Sequence, residues 1–204
     1  MLDDLVFKRT HLATAYCDSL AGKGIANAAS GLFLAAPRRV GKSTFLIEDL
    51  IPEAKHRGWL PIYADLWANK LIDPALLIID AVKANISTQK GKLSKLAKRV
   101  QLEKINILKT IELGVSKSNL TDNKTIVDLL TDLIHLSGKS VLLIIDEAQH
   151  ALASKLGINA MFSIKSARDQ INIASKTSKL MLVMTGSNRD KLAQLIIKKD
   201  QPFF

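Results

Sequence analysis

The residues with the clearest chemical potential form a short segment that follows the first apolar run of the chain. This segment, residues 36–44, reads Ala-Pro-Arg-Arg-Val-Gly-Lys-Ser-Thr. It lies between a predicted strand at 31–35 and a predicted helix that begins near Lys42, which is the setting of the phosphate-binding pattern G-x-x-x-x-G-K-[ST]. In such a loop, backbone N–H groups bind phosphate, the lysine reaches the β- and γ-phosphates, and the serine hydroxyl binds Mg²⁺. The segment therefore predicts a nucleotide-phosphate site centred on Lys42 and Ser43.

The whole loop is a candidate for phosphate contact, although its first position departs from the pattern. The candidate residues are Ala36, Pro37, Arg38, Arg39, Val40, Gly41, Lys42, Ser43 and Thr44. Ala36 stands where the first glycine belongs, and its Cβ would strain the loop if that position requires a positive φ. The alternative is a basic turn that matches by chance. The strand before it and the helix after it favour the phosphate loop.

A pair of carboxylates follows the most apolar run of the chain. Asp146 and Glu147 come directly after residues 141–145, so they are predicted at the carboxyl end of a buried strand, where open parallel sheets bind ligands. Asp146 would hold Mg²⁺, and Glu147 would orient and deprotonate an attacking water. The alternative is that the pair only caps the following helix. Its occurrence after a phosphate loop favours the first interpretation.

Further polar residues follow the strand ends and leave alternatives open. Ser187 and Asn188 could contact the γ-phosphate or the lytic water, or equally cap the next helix. Gln149 and His150 could sense the nucleotide or touch a partner, although exposed residues at the start of a helix are the favoured interpretation. Arg189 could act as an arginine finger for a neighbouring subunit, but an ordinary surface arginine is favoured.

The elements that must position these residues alternate along the chain, which predicts an α/β fold with crossover connections. Strands are predicted at 31–35, 59–67, 141–145 and 180–185. Helices are predicted at 5–20, 42–56 with a kink at Pro52, from Asp73-Pro74 through Val82, about 126–134 with an end near Gly138, 158–172 and 189–198.

The composition is that of a folded protein rather than a membrane or disulfide-rich one. Hydrophobic residues make up 48% of the 204 residues, which can build a substantial core. No apolar run approaches the roughly 18–20 residues that cross a bilayer, and no signal-peptide pattern is present at the start. The single cysteine, Cys17, excludes an internal disulfide. We therefore expect a cytoplasmic protein without a membrane partner.

The strong positive charge raises the odds of a polyanionic partner. The formal net charge is +10 and the pI is near 9.7. Residues 90–118 are the most basic segment, with eight Lys/Arg against two Glu, and are the best candidate for a nucleic-acid or protein surface. The segment has no aromatic residue for base stacking, which argues against single-strand recognition. A solvated helix face is the favoured interpretation.

Together the motifs resemble those of AAA-type P-loop ATPases of the archaeal-ATPase and transposition-helper kind. Residues 36–44 are similar to the family pattern G-P-R-R-x-G-K-[ST], residues 144–150 resemble its D-E-A-Q motif, and residues 185–187 resemble its sensor 1 segment. The resemblance implies a three-layer fold with a parallel sheet of order 5-1-4-3-2 and helices on both faces.

The resemblance also implies roles for individual residues. Lys42 and Ser43 would bind phosphate and Mg²⁺, Asp146 the metal, and Glu147 would be the catalytic base, with Ser187 or Asn188 as sensor. The family continues with a fifth strand and a helical lid, whereas only four core strands are evident here. We therefore expect a single, C-terminally short core domain over 1–204, with a helical lead-in at 1–27.

Three functions compete. The first is an ATPase that couples MgATP binding and hydrolysis to a nucleic-acid or protein partner, with turnover impaired if the lid is missing. The second is a nucleotide-dependent interaction or oligomerisation module with little hydrolysis. The third and weakest is a small-metabolite kinase, for which no substrate lid or acceptor-binding arginines are evident in the sequence.

Overall fold

The computed structural model describes residues 7–23, 28, 31–100, 125–197 and 201–203, with side chains of 95–100 excepted. Its strands are β1 (Leu32–Ala35), β2 (Leu60–Asp65), β3 (Val141–Asp146) and β4 (Leu180–Gly186). Its α-helices are α1 (Thr10–Leu20), α2 (Lys42–Phe45), α3 (Ile51–His56), α4 (Pro74–Val100), α5 (Ile126–Ser137), α6 (Lys155–Ser175) and α7 (Arg189–Ile197). The α/β fold expected from the sequence is confirmed.

The four strands form one parallel sheet in the order β1-β4-β3-β2. This is the order that the resemblance implies for strands one to four. The register aligns Ala35 with Gly186 and Asp65 with Asp146, so the carboxyl ends of all four strands lie along one edge. The segments that follow β1, β3 and β4 therefore emerge side by side, although they are far apart in the chain.

The core lies on both faces of the two central strands. Every residue of β3 and β4 is buried, as expected for strands that are covered by helices on both sides. Leu143 and Ile145 pack with α4, α5 and α6 on one face. Leu142 and Ile144 pack with α1 and the helices after the phosphate loop on the other face. The alternation of side chains along β3 thus divides the core into two layers.

The irregularity predicted at Pro52 takes the form of a π-helical turn, Leu46–Leu50, between α2 and α3. Proline has no N–H to donate to the carbonyl four residues earlier, which is that of Glu48. The Lys8 ammonium donates to this carbonyl oxygen at 3.3 Å. The helix therefore continues through the proline with a local change of hydrogen-bond pattern.

The helix that begins at Asp73-Pro74 is longer than expected. Asp73 accepts a hydrogen bond from the Ala75 N–H at 2.9 Å, as an N-cap does, and α4 then runs without interruption to Val100. It includes the first part of the basic segment, where residues 90–94 are exposed. The remainder, residues 101–118, lies outside the described residues.

Two helix boundaries follow from local hydrogen bonds. Thr125 and Asp128 form a reciprocal capping box at the start of α5, and Gly138 ends it in the left-handed conformation with φ 64°. The Ser154 hydroxyl accepts the Gly157 N–H and starts α6 at Lys155, three residues before the predicted start.

No helix in the described part of the chain is long and apolar enough to cross a membrane.

Candidate functional site

The phosphate loop, the carboxylate pair and the polar residues after β4 meet at the carboxyl edge of the sheet. The Ser43 hydroxyl donates to Asp146 Oδ2 at 2.6 Å across 103 residues of sequence. The Ser187 hydroxyl donates to Glu147 Oε2 at 2.6 Å. β4 lies between β1 and β3, so its carboxyl end enters the space between the other two segments. The sheet order thus brings the predicted site residues together.

The loop folds around the head of Lys42. The Lys42 ammonium donates to the carbonyl oxygens of Ala36 at 2.8 Å and Pro37 at 3.0 Å. Gly41 and Arg39 adopt the left-handed conformation, with φ 79° and 65°. Ala36 lies outside that region, so alanine in place of the family's first glycine causes no strain of this kind. The concern that the sequence raises about Ala36 is thereby resolved.

The outer part of the loop is open to solvent. Its exposed residues are Pro37, Arg38, Arg39, Val40, Ser43 and Thr44. The loop carries three cations, and the Arg38 and Arg39 side chains form no salt bridge with the described residues. An anion with several negative oxygens suits this surface, because a helix N-terminus and a lysine ammonium lie within the same loop.

Asp146 is the most heavily hydrogen-bonded side chain of the site, and it is 1% exposed. Its Oδ2 accepts from Ser43 and, at 2.7 Å, from the Tyr63 hydroxyl. Its Oδ1 accepts from the Thr185 hydroxyl and, at 3.0 Å, from the Glu147 N–H. Burial alone would raise the pKa of Asp146, but these donors outweigh it and the pKa lies below its ordinary value. The carboxylate is therefore charged at neutral pH.

Glu147 is held differently, beside the end of β4. It has a left-handed backbone with φ 54° and stands at the N-cap of a 3₁₀ turn, Ala148–Ala153, but its side chain forms no capping bond. Its Oε2 accepts from the Ser187 hydroxyl, the Ser187 N–H at 3.2 Å and the Gln149 amide at 2.5 Å. Burial raises the pKa of Glu147, but Ser187, Gln149 and the charge of Lys42 outweigh it and lower the pKa overall.

The two residues after β4, Ser187 and Asn188, form different contacts. Ser187 contacts Glu147, as described above. The Asn188 side chain accepts the Lys191 N–H at 2.9 Å and so caps α7, which begins at Arg189. Arg189 is exposed at that helix start, which leaves both of its interpretations open.

Two residues after the carboxylate pair are less exposed than expected. Gln149 is 5% exposed, so its interpretation as a surface residue is wrong. Its amide reaches both Glu147 and, at 3.4 Å, the Ser187 hydroxyl, because the 3₁₀ turn folds back over the end of β4. His150 is half-buried, and its ring stacks on Trp67 with 4.0 Å between the centroids.

Three site residues lie outside the candidates that the sequence predicts, although Thr185 belongs to the segment 185–187 that resembles sensor 1. Tyr63 and Thr185 come from the neighbouring strands β2 and β4, and both donate to Asp146. Arg9 precedes α1, and its guanidinium donates to the Gly41 carbonyl at 3.1 Å. The Arg9 N–H also donates to Asp49 at 3.1 Å. A hydroxyl near a strand end is a weak sequence signal for Tyr63 and Thr185. For Arg9 there is none.

A cavity of about 290 Å³ lies beside the phosphate loop. Arg9 and Tyr16 line it from the N-terminal segment, Phe45 from α2, and Ala36 and Lys42 from the loop. Three larger grooves, of about 400, 570 and 670 Å³, lie along α6, away from the carboxyl ends of the strands. The smaller cavity is the one that adjoins the chemical groups of the site.

The donor set at Asp146 fits a magnesium ion. In the described part of the chain, no three His, Cys, Asp or Glu side chains are grouped as a metal cluster. Mg²⁺ usually needs only one or two protein oxygen ligands, and it takes phosphate oxygens and water as the others. The Ser43 hydroxyl and the charged Asp146 carboxylate, 2.6 Å apart, have the oxygen atoms to serve as two such ligands.

Comparison with known proteins finds solved structures of remote likeness. No protein-family model and no curated protein sequence matches the chain. The ORC1 protein of Aeropyrum pernix, solved in complex with DNA, is similar over 89% of this chain and 40% of its own, with a TM-score of 0.45 and 14% identity. A KaiC-like protein of Pyrococcus horikoshii OT3 is similar over 82% of this chain and 66% of its own, with a TM-score of 0.35 and 14% identity. Likeness this remote assigns no activity, ligand or partner.

Proposed function

We propose that this protein binds MgATP at the carboxyl edge of its sheet, hydrolyses it, and couples the nucleotide to action on a nucleic-acid or protein partner. The observation that carries the proposal is the 2.6 Å contact between Ser43 and Asp146. It joins the two halves of a nucleotide site that lie 103 residues apart. A chance match in the loop would not explain why a buried, charged carboxylate lies beside its serine.

Each residue has a role that its position supports. The Lys42 ammonium, which lies within the loop, would bind the phosphates together with the loop backbone. Ser43 and Asp146 would hold Mg²⁺, which neutralises phosphate charge when it is bound. Glu147 is the candidate base, and Ser187, which contacts it, would respond to the state of the terminal phosphate. The cavity lined by Tyr16 and Phe45 has the apolar character that a nucleotide base needs.

A second candidate function is a nucleotide-dependent interaction or oligomerisation module that turns over slowly. The geometry of Glu147 favours it. Ser187 and Gln149 together give the carboxylate three hydrogen bonds, and its lowered pKa makes it a weak base. Glu147 would have to leave these donors before it could take a proton from water. Binding and hydrolysis therefore need separate tests.

The test of binding compares wild type with Lys42→Ala by calorimetric titration with MgATP. We expect the affinity to fall by ~10- to 100-fold, because a hydrogen bond to a charged group contributes ~1.5–3 kcal/mol. Lys139→Ala is the matched control, since Lys139 is exposed and precedes β3, at the opposite edge of the sheet. Equal affinity of wild type and Lys42→Ala would refute the proposed site.

The test of hydrolysis measures phosphate release by wild type and Glu147→Gln, each with and without single-stranded DNA. If this chain is an ATPase, wild type releases phosphate and Glu147→Gln does not, although both bind MgATP. If it is a slow module, wild type binds MgATP, releases little phosphate, and changes its elution volume on a sizing column when ATP is added.

A further inference from the structure

An aromatic ring surrounded by cations lies beside the phosphate loop. Trp67 follows β2 in the turn before α4 and is 36% exposed. The Lys70 ammonium lies 4.0 Å from the centre of the Trp67 ring, and the Arg38 guanidinium carbon lies 5.2 Å from it. The His150 ring lies against the same side chain, with 4.0 Å between the ring centroids and 37° between the ring planes. We call Trp67, Lys70, Arg38 and His150 the Trp67 cluster.

The Lys70 and Arg38 charges of the Trp67 cluster are not paired with carboxylates of the described residues, although the Asp65 carboxylate lies close by and accepts the Trp67 backbone N–H at 2.8 Å. Within the described ranges, neither Lys70 nor Arg38 forms a salt bridge. The pKa of His150 lies below its ordinary value, first because of burial and then because Arg38, Lys191 and Lys70 repel a proton, although Glu147 attracts one. Arg38, Lys70 and Lys191 outnumber the nearby Glu147 and Asp65 carboxylates, and this excess of positive charge favours an anionic ligand.

The other tryptophan of the chain has the opposite environment. The Arg57 guanidinium lies 5.8 Å from the centre of the Trp59 ring. However, Arg57 is paired with Asp18 at 2.7 Å and with Glu53 at 2.8 Å. The Arg57 charge is therefore paired within the fold, and Trp59 is only partly exposed. Trp59 is therefore an internal control for Trp67, because its neighbouring cation is paired with carboxylates and, among the described residues, those of Trp67 are not.

We propose that the Trp67 cluster binds single-stranded nucleic acid, with a base stacked on Trp67 and phosphates on Lys70, Arg38 and the neighbouring Lys191. The inference deepens the proposed function, because it names the class of the partner and the residues that contact it. Stacking on an aromatic ring combined with backbone contacts from cations is how proteins bind single strands without sequence preference.

The features of the cluster favour a single strand over other polyanions. A duplex keeps its bases stacked inside, so it cannot place a base on Trp67. An acidic peptide would satisfy the cations but would supply no base to stack on the exposed part of the Trp67 ring. Lys70 is long and exposed, so its ammonium can move from the ring to a phosphate as a base takes its place. Arg38 belongs to the phosphate loop, which gives strand binding a direct link to the nucleotide site.

The test uses the two tryptophans of the 204-residue chain as separate reporters. Trp59→Phe leaves Trp67 as the only tryptophan, and Trp67→Phe leaves Trp59. Each protein is titrated with a 15-nucleotide oligo-dT and followed by tryptophan fluorescence. We expect saturable quenching in Trp59→Phe and none in Trp67→Phe. Quenching of both proteins to the same extent, or of neither, would overturn the inference.

Affinity measurements give the energetic side of the test. Trp67→Ala should bind a fluorescein-labelled oligo-dT ~5- to 100-fold more weakly by anisotropy, the range for loss of one stacked base. With three phosphates neutralised, the affinity should fall with salt at a log–log slope of about −2. Circular dichroism checks that the variant folds, and Lys70→Gln provides a second variant that leaves the ring in place. Unchanged affinity in both variants contradicts a single-strand site. Double-stranded DNA or polyglutamate, added as a competitor, should displace the labelled oligonucleotide less well than unlabelled oligo-dT does. Equal displacement would also contradict a single-strand site.

Failure of this inference can be distinguished from failure of the ATP site. Lys42 is outside the Trp67 cluster, so Lys42→Ala should keep its affinity for the oligonucleotide while it loses affinity for MgATP. Trp67→Ala should keep its affinity for MgATP while it loses affinity for the oligonucleotide. If the oligonucleotide binds but no variant changes MgATP affinity, the nucleotide proposal fails and the strand site stands.

Discussion

Removal of one hydroxyl, in Tyr63→Phe, tests whether the buried Asp146 carboxylate is organised as the structure shows. The Tyr63 hydroxyl donates to Asp146 Oδ2 at 2.7 Å, and the ring remains in place when the hydroxyl is removed. Burial and the contact with Asp146 both raise the pKa of Tyr63, so this hydroxyl carries its proton throughout the range in which the protein would be studied. The substitution thus removes a single charge-assisted hydrogen bond.

The expected cost follows from what Asp146 retains. A hydrogen bond to a charged group contributes ~1.5–3 kcal/mol to stability. Asp146 keeps its contacts with Ser43, Thr185 and the Glu147 N–H, so it is not left unsatisfied, and we expect a loss near the lower end, about 1.5 kcal/mol. For a chain of this size that corresponds to a fall in Tm of about 3–6 °C.

Tyr16→Phe is the matched control, because these two tyrosines are the only ones in the sequence and both are half-buried. The Tyr16 ring packs edge-on against Phe45 at 5.7 Å, and its hydroxyl has no hydrogen bond to the described residues. Urea denaturation at pH 7 should show a loss of less than about 0.5 kcal/mol for Tyr16→Phe. Equal free energies of unfolding for Tyr63→Phe, Tyr16→Phe and wild type would refute the proposed organisation of Asp146.

The pH dependence of the free energy of unfolding provides a second test of how Asp146 is held. The folded-state pKa of Asp146 is lowered, so the stability that its donors contribute is present above the unfolded-state value of about 3.9 and is lost as the pH falls through the lower folded-state value. The difference in stability between wild type and Tyr63→Phe should therefore be constant from about pH 5 to pH 8 and shrink below about pH 4. A difference that persisted undiminished in acid would mean that Tyr63 acts by packing alone.

Two further predictions test the core and the buried thiol. Cys17 is fully buried, and burial raises its pKa to about 12, so its reaction with DTNB at pH 8 should be at least ~10²-fold slower in native protein than in denaturant. Fast labelling without denaturant would mean that α1 does not pack as described. Leu143→Ala, at a fully buried position of β3, should cost ~2–5 kcal/mol in urea denaturation. Leu156→Ala, at a position that is 60% exposed, should cost less than about 0.5 kcal/mol, and a similar loss in both variants would contradict the burial pattern.

The strands and most helices were predictable because their signals are local. The apolar run at 141–145 and the Asp73-Pro74 helix start depend only on neighbouring residues, and both appear where expected. The boundaries were less accurate. α4 continues through Gly91 to Val100, because one glycine within an otherwise helical stretch costs only ~1 kcal/mol. α6 begins three residues before the predicted start, because the Ser154 hydroxyl caps it.

The sequence by itself determined the residue types of the candidate site and their order along the chain. A loop with a lysine and a serine, a carboxylate pair after a buried strand, and polar residues after the next strand can all be identified from local pattern. Only the tertiary structure decided which side chains meet. The insertion of β4 between β1 and β3 brings Ser187 to Glu147 and Thr185 to Asp146, while the pairing of β2 with β3 brings Tyr63 to Asp146.

The same holds for the Trp67 cluster. The sequence showed a basic chain whose most basic segment has no aromatic residue, and so it argued against single-strand recognition. In the structure, cations from separate segments gather around Trp67 instead. Strand order and crossover connections determine such contacts, and they follow from burial of apolar faces rather than from the sequence next to each residue. For that reason a candidate phosphate loop can be recognised in the sequence, but the side chains that surround it cannot.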